Sequence, residues 1–477
     1  MKLLRETDIL NAVLLMDFWS YIVKWLQSLV GADLMIDAIQ NGRDIPAQAW
    51  LNLVFSSITL LFGIFVGYRV IYLILGLFGR SRKYKDVEPT NKYCFLIPAR
   101  NEELVIANLI DSIRQMDYPQ ELIDILVVAD NCHENDKTAQ IAREKGVFVV
   151  ERHDPSKRTK GFGLEYALTE FSKTHDLEKD YFGYIVMDSD NVVSTTFLRK
   201  YNSAIVNGKF DAAVAYRNAK NLPENWISAM CGMNVYVNVV TNLRARSILN
   251  TNQQVYGTSI CFRSYLLKDG WHWTGLTEDL DIQADLAAKG RKVGYCEEAV
   301  FYEEEPTKVG IFIRQQMRWT KGSIHSFNQY GLKLLGSFFK KPTWGKYDMF
   351  WQVFPFSLYS FYFALAYQLA SLVLYFVFGE NGYNWVSFLT WILTLFGGIY
   401  VSCLFNDLVT VIREWKRFHL NIAKTIAYIL LFPIYQIINL PISAVAAFMN
   451  VRWRHIDHHY VVDPKKLEEE EREKQKK

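Results

Sequence analysis

The chain has 477 residues, a formal net charge of +3 and 15% aromatic residues. That length allows two to four domain-sized units, and the small net charge with no sustained basic run argues against a nucleic-acid partner. Six cysteines are scattered without a C-x-x-C pair, which excludes a cysteine zinc site and a disulfide framework and fits a reducing compartment.

Residues 9–30 are apolar but interrupted by Asp17 and Lys24, so they read either as a first spanning helix or as an interfacial one. No cleavable leader is expected, because residues 9–16 run into Asp17 without a small-residue cleavage site. Residues 51–79 are long enough to span a bilayer. Arg80, Arg82, Lys83 and Lys85 follow at once, which places the next domain in the cytoplasm by the positive-inside bias.

From residue 83 the pattern changes. Apolar runs at 92–98, 123–129, 147–150, 184–187 and 212–216 end at polar loops, and 103–115 and 136–145 carry helical spacing. This alternation predicts a largely parallel sheet covered by helices, with ligands at the carboxyl ends of the strands. Asp130, Asp188 and Asp190 fall at such ends. Asp188-Ser189-Asp190 suits a hard divalent cation, which uses one or two protein carboxylates and completes its shell with substrate phosphates. Surface turns also contain D-x-D, so its position carries the weight.

Thr277-Glu278-Asp279 opens a helical segment over 280–289, with Thr277 as candidate N-cap. The acids fit either an ordinary helix start or a general base at Asp279. Gln315, Arg318 and Trp319 share one helix face at i, i+3 and i+4. An amide, a guanidinium and an indole together suit a pyrophosphate beside a sugar ring, while an interfacial anchor is the plainer reading.

Further membrane-length runs occupy 349–379, 385–405 and 422–449. Pro433 and Pro441 are expected to break the last into a re-entrant element, keeping the tail on the cytoplasmic side. His455, His458 and His459 read as part of a basic interfacial segment rather than a metal cluster, and 468–477 as a solvated, frayed end. The aromatic cluster over 350–363 reads as lipid-facing more readily than as a sugar channel.

Taken in order, these motifs resemble the family 2 glycosyltransferases, in particular the membrane-integrated branch with cellulose, mixed-linkage glucan, hyaluronan and poly-N-acetylglucosamine synthases. The resemblance covers about residues 92–322 and the flanking membrane segments. Pro98-Ala99-Arg100-Asn101-Glu102 is similar to the first nucleotide-contacting loop, and Asp130 to the acid beside the uracil. Lys160-Gly161 resembles the diphosphate segment, Asp188 and Asp190 the metal motif, Glu278 and Asp279 the catalytic motif, and Tyr256-Gly257-Thr258 the loop near the acceptor. Gln315, Arg318 and Trp319 match Q-x-x-R-W. Ala129 stands where many relatives have a second acid, and no segment resembles a cyclic-dinucleotide-binding module.

The resemblance implies an α/β, GT-A-like nucleotide-sugar-binding domain in the cytosol, embedded in an α-helical multi-pass cell-membrane protein. The expected layout is N-terminal membrane helices (1–82), the transferase domain (83–310), interfacial helices (311–346), C-terminal membrane helices (347–451) and a cytosolic tail (452–477). It implies a Mg²⁺- or Mn²⁺-dependent, inverting, processive β-glycosyltransferase in which Asp279 is the base. UDP-glucose polymerised into a β-glucan is the first expectation, with UDP-N-acetylglucosamine or a single transfer to a lipid as alternatives and a non-catalytic scaffold last. The implied partners are the UDP-sugar, the growing polysaccharide and the bilayer, with room for a homo-oligomer or a secretion partner.

Overall fold

The computed structural model describes residues 27–28, 31–378, 384–418, 420–451 and 455–476. Apart from Gln27 and Ser28, the N-terminal segment expected over 9–30 lies outside them. Two compact units emerge.

The smaller unit comprises the described residues up to Ile71 together with Tyr359–Gly398. It contains α1 (Asp33–Gln40), α2 (Ala47–Val66) and the start of α3 (Arg69–Phe78), with α2 and α3 separated at Gly67-Tyr68. Polar side chains tie α2 to the helix running through 359–378. Gln48 Nε2 donates to Ser371 Oγ (3.0 Å) and to Asn52 Oδ1 (2.8 Å), Tyr367 OH donates to the same Asn52 oxygen (2.7 Å), and Phe55 stacks on Phe363 and Tyr367. In lipid, where burying apolar surface gives no advantage, such bonds and close packing are what hold helices together.

The larger unit, Tyr72–Leu358 with Ile399–Lys477, is built on an eight-stranded sheet. Its strands are β1 (Tyr93–Ala99), β2 (Ile123–Asp130), β3 (Phe148–Arg152), β4 (Gly183–Val186), β5 (Val192–Val193), β6 (Ala212–Ala219), β7 (Ile260–Arg263) and β8 (Val293–Glu303), in the order β3-β2-β1-β4-β7-β6-β8-β5. The first four in that order are parallel, but β7 runs antiparallel to both neighbours and β5 antiparallel to β8. The sheet is therefore mixed, which corrects the expectation of a largely parallel one. The short runs of β5 and β7 carry no periodicity of their own, and pairing with neighbours decides them.

Two cores follow from the period-two alternation of strands buried on both faces. Cys94, Leu96, Leu126, Val128, Tyr184 and Val186 pack with α6 (Lys160–Phe171) and α8 (Trp226–Asn238). Tyr93, Phe95, Ile97, Ile125, Val127 and Ile185 pack with α4 (Ile106–Arg114) and α7 (Phe197–Gly208), while α5 (Thr138–Glu144) adds Ala142. In α4 the buried Ile106, Leu109, Ile110 and Ile113 give the i, i+3, i+4, i+7 stripe that drives a helix onto a sheet. Asn225 and Ser228 close a capping box at the start of α8, which runs through a π-turn (Val239–Leu243) into α9 (Arg244–Leu249).

The remaining helices are α10 (Glu278–Ala288), α11 (Val309–Lys340), α12 (Trp344–Val353), α13 (Phe356–Phe378), α14 (Trp385–Glu414), α15 (Ile422–Phe448) and α16 (Pro464–Lys476). Among the described residues, four stretches are long and apolar enough to cross a membrane: Ala47–Phe78, Phe356–Val377, Trp385–Glu414 and Ile422–Phe448. The expected run at 349–379 thus begins too early. Its first residues lie in α12, where Met349, Trp351 and Val353 are buried, and Phe354-Pro355 separates the two helices. Pro433 and Pro441 do not break α15, which continues through both.

The C-terminal run is not a frayed end. In α16, Glu468 accepts hydrogen bonds from the Thr195 backbone N–H (2.6 Å) and hydroxyl (3.0 Å), Glu471 accepts from Asn218 Nδ2 (2.8 Å), and Leu467 packs on Val192 and Tyr302. The charged sequence hides this docking because its hydrogen-bond partners Thr195, Asn218 and Tyr302 lie more than 150 residues away.

Arg246 on α9 and Asp348 on α12 form a fully buried pair (2.6 Å), with Tyr72 stacked under the guanidinium. Removing one partner leaves a desolvated charge, at a cost of about 3–5 kcal/mol. Asp348→Ala should lower unfolding stability by that amount in chemical denaturation, whereas Arg246→Met with Asp348→Leu should recover most of it.

Candidate active site

The parallel strands β1, β2 and β4 end at one edge, so the loops after Ala99, Asp130 and Val186 converge. Asn101 (φ 57°) and Asn131 (φ 53°) turn two of these loops through the left-handed region, which asparagine tolerates better than most residues. The edge opens into a cavity of about 510 Å³.

At one end, Asp130 is held by protein donors on both oxygens. Arg152 Nη1 approaches Oδ1 (2.5 Å), the Arg100 guanidinium binds Oδ2, and Asn131 Nδ2 donates to Oδ1 (2.9 Å). Ala99, Arg100 and Glu102 line the cavity with Asp130. Asn101 does not: its Oδ1 accepts from the His133 backbone N–H (2.8 Å), linking the two loops.

Lys160 begins α6 at the middle of the cavity. Gly161 is needed beside it, because a Cβ there would lie 2.1 Å from the Trp273 carbonyl oxygen. The Lys160 ammonium donates to Asp188 Oδ1 (2.5 Å) and to the Gly257 carbonyl, and stands 3.7 Å from Glu278 Oε1. Burial would lower its pKa, but Asp188, Glu278 and Asp279 outweigh burial and hold it raised. Thr258 Oγ1 accepts from the Asp188 N–H (2.9 Å) and donates to Asn191, and Tyr256 OH accepts from Asn238 Nδ2 (2.9 Å).

Asp190 Oδ2 accepts from the Glu304 N–H (3.0 Å). Asp188 Oδ2 and Asp190 Oδ1 take no hydrogen bond from the described residues. Two carboxylates opening on one cavity fit a Mg²⁺- or Mn²⁺-sized ion whose shell is completed by substrate phosphates. No cluster of three or more His, Cys, Asp or Glu side chains that could hold a metal occurs among the described residues.

Glu278 and Asp279 form the first turn of α10. Thr277 occupies the N-cap position, yet its hydroxyl makes no capping bond. It packs instead against Gly322 of α11, where a Cβ would lie 2.1 Å from Thr277 Oγ1, so the glycine lets the two helices meet. Burial raises both acid pKa values, while Lys160 opposes the shift at Glu278 and Arg318 opposes it at Asp279. Gln315, Arg318 and Trp319 reach the same cavity from α11, and Arg318 Nη1 donates to the Leu276 carbonyl (3.3 Å). Asp281, which the sequence motif did not single out, is buried one turn below Glu278; burial pushes its carboxyl up to about 6.

The C-terminal segment supplies the wall that sequence reasoning missed. His455, His458 and His459 line the cavity and do not form the expected basic interfacial segment. His458 Nδ1 stands 3.1 Å from both Glu102 oxygens, and Glu304 accepts from the backbone N–H groups of His459 (3.2 Å) and Tyr460 (2.9 Å). Burial pushes Glu102 up to about 7. At His458 burial acts downward, but Asp190 and Glu102 prevail and raise it to about 10. Beneath them Arg217 bridges Glu303 (2.8 Å) and Glu305 (3.1 Å).

Residues 89–322 match the family model described as "Glycosyltransferase like family 2". A probable glycosyltransferase (YdaM) of Bacillus subtilis strain 168 is 24% identical over 296 residues, covering 58% of this chain and 65% of that protein. The beta-monoglucosyldiacylglycerol synthase of Synechocystis is 22% identical over 249 residues, covering 51% of this chain and 50% of that protein. The chain thus spans less than two thirds of the length of either relative. Among solved structures, the mannosyltransferase PcManGT from Pyrobaculum calidifontis, in complex with GDP-Man and Mn2+, aligns with a TM-score of 0.49 at 13% identity, over 82% of this chain and 97% of that one.

The raised His458 pKa sets the sign of a stability effect. Its contribution is complete below the unfolded value near 6.5 and is lost as pH rises through about 10. His458→Gln should therefore cost about 1.5–3 kcal/mol at pH 6, as expected for a hydrogen bond to a charged group. The difference between the two proteins in denaturant melts should shrink steadily from pH 7 to pH 10.

Proposed function

We propose that the chain is a membrane-bound inverting β-glycosyltransferase that polymerises a UDP-sugar, a reading supported by the match of residues 89–322 to the family 2 glycosyltransferase model. UDP-glucose is the first candidate donor and UDP-N-acetylglucosamine the second, and export of the polymer accompanies synthesis. The observation that carries this reading is the meeting of Asp188 and Asp190, Glu278 and Asp279, and Gln315, Arg318 and Trp319 around one cavity.

In this mechanism Asp279 is the general base. Burial raises its pKa toward the operating range, which suits it to take a proton from the attacking acceptor hydroxyl. Arg318 beside it keeps the carboxylate form accessible. Glu278 and Lys160 set the local charge, with Lys160 facing the diphosphate. Asp188 and Asp190 would hold Mg²⁺ or Mn²⁺, which when bound neutralises the departing nucleoside diphosphate. Trp319 offers a flat apolar face to the acceptor ring, and Gln315 and Arg318 flank it. Ala99, Arg100, Glu102 and Asp130 frame the nucleoside end. Because both Asp130 oxygens already accept from arginines, it orders that end through Arg100 and Arg152 as much as by direct contact.

A second reading is one transfer to a lipid acceptor. It draws support from the Synechocystis relative, whose name denotes a glucosyldiacylglycerol synthase. Product size separates the two: material that resists lipid extraction and yields to a linkage-specific hydrolase supports the polymer, and a single glycolipid supports the alternative.

Asp279→Asn should retain UDP binding and lose about 10²–10⁴ in turnover, the usual worth of a general base. With wild type, the acid limb of the rate profile should lie above the ordinary carboxylate range, as the raised pKa requires. Substantial turnover by the variant in a radiolabelled UDP-sugar assay would remove Asp279 from the role.

A further inference from the structure

Three helices with the length and hydropathy of a membrane span (α13, α14 and α15) lie between α12 and the C-terminal segment. That segment returns to the catalytic domain and is bonded to it. Val462 N–H donates to Asn108 Oδ1 (3.2 Å) and Asn108 Nδ2 donates back to the Val462 carbonyl (3.0 Å), while Glu304, Thr195 and Asn218 hold the rest. A chain that leaves a domain and comes back to it has crossed a bilayer an even number of times. Three is odd, so one of these helices does not cross.

The burial pattern identifies which. In its most apolar stretch α14 has 0% of residues buried by protein and α13 has 17%, whereas α15 has 28%. Exposure on α15 covers one broad side of the helix, on which Ala423, Leu430, Ile434, Pro441, Val445 and Phe448 fall on one line. The opposite face, with Thr425, Ile429, Phe432, Tyr435 and Ala446, is buried. That face is fastened to the domain by polar bonds. Gln436 Nε2 donates to Asn234 Oδ1 of α8 (2.9 Å), Thr320 Oγ1 of α11 bonds Ser443 Oγ (3.0 Å), and Lys321 Nζ donates to the Ala447 carbonyl (3.0 Å). Phe312 of α11 packs on Tyr435 with ring centroids 4.6 Å apart.

We propose that α15 is a monotopic helix whose aliphatic stripe rests in the headgroup–acyl boundary of a phospholipid bilayer, and that only α13 and α14 cross between the domain and the tail. At 27 residues the helix is about 40 Å long, and laid flat it presents its whole stripe to lipid at one depth. Its partner α11 carries Gln315 and Trp319, so the mouth of the cavity is held against the membrane surface. The inference rests on the chain's return and the helix's packing, and stands whether or not the proposed chemistry does.

Depth-resolved quenching on the full chain in phospholipid nanodiscs tests it. An environment-sensitive fluorophore is placed at Ala423→Cys, Ile434→Cys or Val445→Cys, which share one line of the helix, with Cys132 and Cys403 replaced by serine and alanine. Leu393→Cys in α14 serves as the deep reference. A surface helix gives equal quenching at the three α15 sites, stronger with a spin label near the headgroup than with one deep in the acyl chain. Deepest quenching at Ile434 with shallow flanking sites would mean that α15 spans the bilayer, and no quenching at any of the three would remove lipid as the occupant. Sidedness gives an independent check without cysteine changes. An epitope after Lys477 and one in the exposed turn at Gly146 should be reached by antibody from the same side, and labelling from opposite sides would overturn the proposal.

Discussion

One ammonium group makes this cavity possible. Asp188, Glu278 and Asp279 gather around one point at the edge of the sheet, and burial there makes Glu278 and Asp279 resist ionisation. Lys160 stands among them, and its position depends on two local features. The amino end of α6 fixes its backbone, and Gly161 lets that end press against the Trp273 carbonyl. The balance is incomplete by design of the charges present: Glu278 and Asp279 remain above their ordinary range even with Lys160 and Arg318 nearby.

A second set of buried charges ties the end of α14 to the sheet and α9. Glu414, at the end of α14, accepts from Arg244 (2.7 Å) and from Tyr216 OH (3.1 Å), while Arg244 also holds Glu297 (2.6 Å). Arg417 covers the Tyr216 ring at 3.5 Å. Such pairs add little net stability over apolar packing, but they penalise any arrangement that separates them. They therefore fix where the end of α14 sits on the domain more than they strengthen the fold.

Much of this was legible in the sequence. The strand ends bearing Asp130, Asp188 and Asp190 were readable because buried parallel strands are continuous apolar runs that stop abruptly at polar loops. The face shared by Gln315, Arg318 and Trp319 followed from helical geometry alone. What escaped were elements defined by partners far away in the chain. β7 is an ordinary four-residue run until it pairs with β4 and β6. His458 read as part of a basic interfacial segment because Glu102, its partner, is 356 residues distant. Helix α16 reads as a disordered acidic tail by composition, yet a handful of hydrogen bonds and one leucine dock it. Asn101 shows the converse error: a residue inside a recognised loop that serves the neighbouring loop and not the cavity.

The wall formed by His455, His458 and His459 also bears on how the protein is made. These residues leave the ribosome after every apolar helix and long after the sheet whose edge they complete. The cavity therefore stays open on one side until residues 455–459 are made and fold back. A nascent chain stalled in the translocon would carry the acids without their final enclosure. On the proposed function, activity would thus begin only once the segment through His459 has been made and has folded back.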